Sequence, residues 1–152
     1  MPKKSAGLLM YRVIKTGIEL LLVYPGGPFW RNRDDGAWTI PKGEFADDEE
    51  PLAAAKREFE EELGAKPPGG DYLQLKPIKQ KNGKIVYAWA VEGDFNPATL
   101  NSNTFETEWP PKSGRMKSFP EVDRAQWFPP DVAKQKMLFG QAALVDELLT
   151  LI

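Results

Sequence analysis

The chain has 152 residues with 20 basic and 22 acidic side chains, a net charge of −2; that length suits a single domain, residues 1–152, and the near-balance of charge argues against a nucleic-acid footprint spread over the surface. It contains no cysteine and no histidine, which excludes disulfides, thiolate and imidazole zinc sites, Ser-His-Asp triads and histidine bases. Acid–base chemistry therefore falls to carboxylates, Lys, Tyr or metal-bound water. The N-terminal Met-Pro-Lys-Lys-Ser is basic, but the apolar run behind it, Ala6 to Tyr11, is too short for a signal-peptide core. No stretch approaches a membrane span, so the expectation is a cytoplasmic protein.

In chain order, Ser5 to Val13 reads as a strand, Lys15-Thr16-Gly17 as a turn, and Ile18 to Tyr24 as a second, largely buried strand completing a hairpin. Pro25 to Gly36 is a loop. Its Arg31 and Arg33 could reach phosphate and its Phe29 or Trp30 could stack on a base; equally, the loop could be exposed with its aromatics covering one end of the sheet. Trp38 to Ile40 reads as a short strand leading into Pro41-Lys42-Gly43, where Lys42 is either a phosphate contact or an ordinary surface lysine.

The most informative stretch is Gly43 to Ala65. Pro51 suits a first helical position, Asp47 to Glu50 place negative charge at the positive end of the helix dipole, and Gly64 suits a stop ahead of Pro67 and Pro68. At 100° per residue, Leu52, Ala55, Phe59 and Leu63 form an apolar stripe that would pack on a core, while Lys56 and Glu60 point to water. Glu58, Glu61 and Glu62 converge on an adjacent face at i, i+3 and i+4, with Ala54 in the same row one turn earlier. Such carboxylates repel one another unless neutralised. A solvated acidic face and a site for a hard divalent cation both fit the helix taken alone.

Beyond the helix, Pro67 to Gly70 links to a second hairpin, Tyr72 to Gln80 and Lys84 to Glu92, across Asn82-Gly83. Alternation puts Ile85, Tyr87, Trp89 and Val91 on one face, with the aromatics in core packing. Gly93 to Phe119 is long and irregular, with a short strand over Thr104 to Trp109 and the acidic pair Glu106 and Glu108. Glu121 to Phe128 reads as a strand. Pro130 to Met137 and Gly140 to Leu149 read as helices, the second burying Ala143, Leu144, Leu148 and Leu151.

Gly43, Glu49, Arg57, Glu58, Phe59, Glu61, Glu62, Gly64 and Ala65 fit the pattern G-x5-E-x7-R-E-U-x-E-E-x-G-U, with U apolar, and this resembles the Nudix box. Seven strict matches would arise by chance in such a chain on the order of once in a million at average residue usage. The resemblance is specific over residues 38 to 65 and general elsewhere. It implies an α+β Nudix fold, a mixed sheet sandwiched between helices, and an enzyme that hydrolyses a nucleoside diphosphate linked to another group with Mg2+ or Mn2+.

By that resemblance the Gly43 carbonyl, Glu58, Glu61 and Glu62 are metal ligands, and Arg57 holds the loop carrying Glu49 and positions the carboxylates. Glu61 is the first choice of general base, with Glu106 or Glu108 as the alternative. The expected partner is a small nucleotide rather than a nucleic acid or membrane, and monomer and homodimer both occur among such proteins. Trp38 ahead of Pro41-Lys42-Gly43-Glu44 resembles the lead-in of dinucleoside polyphosphate hydrolases, which makes diadenosine tetraphosphate the first substrate to consider. Nucleoside triphosphates and ADP-ribose remain open. Loss of box carboxylates would favour a non-catalytic nucleotide-sensing module, and none is lost.

Overall fold

In β1 (Lys4–Ile14) successive side chains point to opposite faces, and both faces are apolar. Leu8 and Met10 go to one buried cluster, Leu9 and Tyr11 to another. A strand covered on both sides must lie between two layers, and that is the architecture of this computed structural model, which describes residues 3–152. Met1 and Pro2 of the basic N-terminal stretch lie outside the described residues.

β1 turns into β2 (Gly17–Pro25), whose Leu20 to Tyr24 are all buried. The chain then runs through β3 (Lys42–Glu44), α1 (Pro51–Leu63), β4 (Leu73–Gln74), β5 (Ile78–Lys79) and β6 (Ile85–Glu92). It continues through β7 (Thr104–Glu108), β8 (Met116–Pro120), β9 (Val122–Phe128), α2 (Pro130–Lys136) and α3 (Ala142–Leu151). The main sheet has the order β4-β6-β1-β2-β9, with β3 paired to β1 and β5 to β6. β1 and β6 run parallel from Lys4↔Ile85 to Tyr11↔Glu92, and the other pairings are antiparallel. The sheet is therefore mixed. One face packs α1 through Ala55, Phe59 and Leu63, with Trp89 and Val91 in the same cluster. The other packs α2 and α3 through Ala133, Leu144, Val145 and Leu148 against Leu9, Leu22 and Trp38.

One edge of β1 is divided, and this division positions the functional stretch. β2 pairs with β1 only from Tyr11↔Leu20 to the turn, then continues alongside β9. β3 occupies the rest of that edge, at Ser5↔Glu44, Ala6↔Gly43 and Gly7↔Lys42. Lys42 and Gly43 are thus fixed in register beside the strand on which α1 packs.

Several expectations are corrected. Trp38 to Ile40 is not a strand. It makes isolated bridges, Val23↔Thr39 and Trp38↔Met137, and Gln141 stitches it in by accepting from Ile40 N at 3.1 Å and donating to Thr39 Oγ1 at 2.8 Å. Pro41 has no N–H with which to prolong a ladder, so the strand starts one residue later, at Lys42. Tyr72 to Gln80 is divided into β4 and β5 around Pro77 for the same reason. The long segment after Gly93 contains a second strand, β8, which pairs with β7 as a separate two-stranded sheet. In α3 the buried positions are Leu144, Val145 and Leu148, whereas Ala143 and Leu151 are exposed. The helix starts two residues later than expected, and its apolar stripe runs 144-145-148. Lys56, expected in water, lies with its ammonium 4.5 Å from the Tyr72 ring centre. Among the described residues no helix is long and apolar enough to cross a membrane.

Phe59, 1 % exposed, anchors α1 to the sheet. Phe59→Ala is expected to cost about 3–5 kcal/mol by chemical denaturation; a loss under about 1 kcal/mol would contradict this anchoring role.

Candidate active site

The local sequence builds α1 as a rigid carrier. Glu50 caps its start, accepting from Leu52 N at 3.3 Å and Ala53 N at 2.8 Å, and Pro51 occupies the first helical position. Gly64 ends it in the left-handed conformation, φ 75°, donating to the Glu60 carbonyl at 2.8 Å. The last carbonyls are satisfied by the following loop: Asn101 N donates to Leu63 O and Asn103 N to Glu61 O. Burial of Ala55, Phe59 and Leu63 fixes the helix rotation, and with it the direction of the glutamate face.

On that face Arg57 organises the carboxylates. It donates from Nε to Glu49 Oε2 at 2.9 Å and from Nη2 to Glu49 Oε1 at 3.1 Å, a two-pronged pair that ties the preceding loop to the helix. Its Nη1 donates to Glu58 Oε1 at 2.9 Å and to both oxygens of Glu61, at 3.2 and 3.3 Å. The guanidinium holds the Glu49 carboxyl below its usual range, and these hydrogen bonds and charges raise the affinity of Arg57 for its own proton. Glu62 is held by β3 instead: its Oε1 accepts from the backbone N–H of Lys42 at 3.1 Å. Burial pushes the Glu62 carboxyl well above its usual range, with repulsion from Glu58 next. Glu58 is raised too, chiefly by burial, although Arg57 opposes the shift.

Gly43 completes the arrangement. A Cβ there would fall 2.1 Å from the Glu58 carboxyl carbon, so only glycine lets Glu58 lie against β3. The Lys42 ammonium beside it is lowered, first by burial and then by repulsion from Lys84.

The structure adds one acidic residue that the sequence does not single out. Glu121 sits between β8 and β9, where Gly26 N donates to its carbonyl and its own N–H donates to Asn103 O. Its charge contributes to the upward shift of both Glu58 and Glu62, and its own carboxyl is raised by burial and by Glu61. A lone Glu at a strand start carries no periodic signal, so only the return of the β7–β8 hairpin brings it here. The other acidic candidates lie elsewhere. Glu108 accepts from Lys112 N and Gly114 N and closes the hairpin turn; Glu106 is exposed on β7. Arg31 lines a separate pocket with Tyr24, Phe119 and Arg124, while Arg33 lies over the Trp30 ring.

The donor set Glu58, Glu61, Glu62 and Glu121 is all oxygen, crowded and partly desolvated, which fits a hard divalent cation. Among the described residues no three acidic groups already close on one point. Arg57 Nη1 bridges Glu58 and Glu61, and the flexible ends of these side chains are what would reorient around an ion.

Residues 3–148 match the NUDIX domain family, and the chain belongs to that family. None of the curated proteins matches it. Among solved structures, it is similar to an Ap4A hydrolase of C. elegans in a binary complex: 19 % identity, TM-score 0.67, covering 97 % of this chain and 96 % of that one. It is also similar to the NUDIX domain of Shewanella oneidensis NrtR complexed with ADP ribose (17 %, TM-score 0.64, 99 % and 88 %). A MutT/nudix family protein of Listeria innocua matches at 15 % identity, TM-score 0.63, covering 99 % and 94 %. These likenesses show the fold.

Gly43→Ala should leave the fold intact, because the clash falls on the flexible end of Glu58, while lowering hydrolysis by at least about tenfold. Thermal unfolding and turnover measured together check this; unchanged turnover would contradict a role for the Gly43–Glu58 contact.

Proposed function

We propose that this protein hydrolyses a pyrophosphate bond in a nucleoside diphosphate derivative with the help of Mg2+ or Mn2+, and that dinucleoside polyphosphates, diadenosine tetraphosphate first, are its substrates. The observation that carries the reading is the Arg57 network, which braces Glu58 and Glu61 against Glu49 on the helix that also carries the buried Glu62, with Gly43 packed against Glu58. The similarity in fold to the C. elegans Ap4A hydrolase supports the substrate choice. Nucleoside triphosphates and ADP-ribose are the alternatives, the latter supported by the ADP-ribose complex of the Shewanella domain. A purely nucleotide-sensing role is disfavoured because every box carboxylate is present.

A pyrophosphate link carries negative charge that repels nucleophiles. Glu58, Glu61, Glu62 and the Gly43 carbonyl would hold the divalent cation, which neutralises that charge and acidifies water when bound. Arg57 and Glu49 act as positioning residues: the guanidinium fixes the rotamers of Glu58 and Glu61 and keeps the loop ahead of the helix in place. Lys42 binds phosphate.

For the general base, the hydrogen bonds change the preference. Both oxygens of Glu61 accept from Arg57, which occupies lone pairs a base needs. Burial and the charge of Glu61 raise the proton affinity of the Glu121 carboxyl, and Glu121 in turn raises Glu58 and Glu62, so we assign to Glu121 the proton taken from the attacking water. Glu106 and Glu108 have no part in this step.

Glu121→Gln is expected to lower kcat by about 100-fold or more in Mg2+, whereas Glu106→Gln stays within about threefold of the parent. The reverse pattern in steady-state kinetics would return the base to the hairpin. A second expectation concerns pH. The raised Glu62 carboxyl favours the folded state below its unfolded value of about 4.5, and that contribution is lost as pH rises toward its folded value. A divalent cation favours the ionised carboxylates, so added Mg2+ should raise Tm more at pH 8 than at pH 5. An equal rise at both pH values would count against metal binding at these groups.

A further inference from the structure

Beside the carboxylate cluster lies a groove of about 400 Å³ whose walls carry Trp30, Leu138 and Phe139 and three lysines, Lys42, Lys81 and Lys84. It adjoins the site directly, because the backbone N–H of Lys42 is held by Glu62 while its side chain lines the groove. Phe139 is 77 % exposed, the most exposed large apolar side chain of the protein's described residues, and the Lys81 ammonium rests 5.0 Å from its ring centre. Among the described residues Lys42 and Lys81 take part in no ion pair, and Lys84 donates to Glu44 at 3.3 Å. In a protein of net negative charge, three ammoniums gathered around an aromatic slot with one carboxylate partner between them form a local anion site. The aromatic faces suit a base at its outer end.

Resting on the hydrolase reading above, we infer that this groove holds the distal phosphates of the substrate, and that Lys81 and Lys84 set a preference for long polyphosphate chains over a single diphosphate link. The diphosphate that reacts is engaged at the glutamates and Lys42. A compound with only two phosphates leaves Lys81 and Lys84 without an anion. Each further phosphate extends past Lys42 into the groove and gains a charge-assisted contact. Arg31, in the pocket with Phe119 and Arg124, makes no contribution to this preference.

The test compares diadenosine di-, tri-, tetra- and pentaphosphate and ADP-ribose as substrates in Mg2+, for the parent, Lys81→Gln/Lys84→Gln and Arg31→Gln. Binding of ADP and of adenosine 5′-tetraphosphate is titrated in parallel by tryptophan fluorescence. The parent is expected to show kcat/KM at least about tenfold higher for the tetraphosphate than for the diphosphate, a ratio reduced to within about threefold in the double lysine variant and kept in Arg31→Gln. A ratio that survives the lysine substitutions, or one lost in Arg31→Gln, overturns the inference. A parent with no chain-length preference also overturns it while leaving the hydrolase reading intact. Absence of turnover on every compound contradicts the hydrolase reading instead, and the titration then decides. Adenosine 5′-tetraphosphate binding at least about tenfold tighter than ADP, through Lys81 and Lys84, upholds the groove; equal affinities overturn it.

Discussion

Like charges crowded on one helix face must be held apart or neutralised, and much of this protein is arranged around that constraint. Glu58, Glu61 and Glu62 are spaced to meet, and burial makes their repulsion stronger than it would be in water. Arg57 relieves part of it by donating to Glu49, Glu58 and Glu61 at once. One cation among four carboxylates leaves the cluster electron-rich, which is the condition under which a divalent ion gains most by binding. Arg57 thus makes the metal-free arrangement tolerable without cancelling its negative charge.

The scaffold works by dividing an edge. Because β2 leaves β1 for β9, the freed length of β1 is available to β3, and β3 is short and glycine-containing. Gly43 then comes against Glu58 with no room for a Cβ, and Lys42 presents its N–H to Glu62. Two of the three helix glutamates are thereby positioned by a three-residue strand. The apolar stripe that packs α1 on the sheet supplies the stability, and the glutamates on the adjacent face make use of the rigidity it provides.

Some of this was legible in the residues and some was not. The helix from Pro51 to Leu63 and its two faces follow from local periodicity and capping chemistry, whereas the Glu49–Arg57 pair is implied only by the resemblance to the Nudix box. The sandwich is implied by the resemblance, and the two apolar faces of β1 supply its physical reason. The Trp38–Ile40 segment misled because its β-forming side chains outweighed the missing N–H of Pro41. Ala143 misled because it lies about 100° from Leu144 on the wheel, off the buried stripe, and Leu151 because it closes the last turn of α3, where it is exposed although it lines up with Leu144 and Leu148. Glu121, Lys81 and Lys84 were illegible for a different reason. Each reaches the site through a tertiary path, around the β7–β8 hairpin or the Asn82-Gly83 turn, and isolated charged residues in turns leave no periodic trace. The box is local and readable, whereas the residues that would tell substrates apart are spread over loops.

The account turns on whether the glutamate face of α1 holds a divalent ion. The most direct measurement is a Mn2+ titration of the metal-free protein followed by water-proton relaxation, in the parent and in Glu58→Gln. The account predicts saturable binding in the parent that Glu58→Gln weakens by at least about tenfold with the fold preserved. Binding of equal strength in both proteins would contradict it.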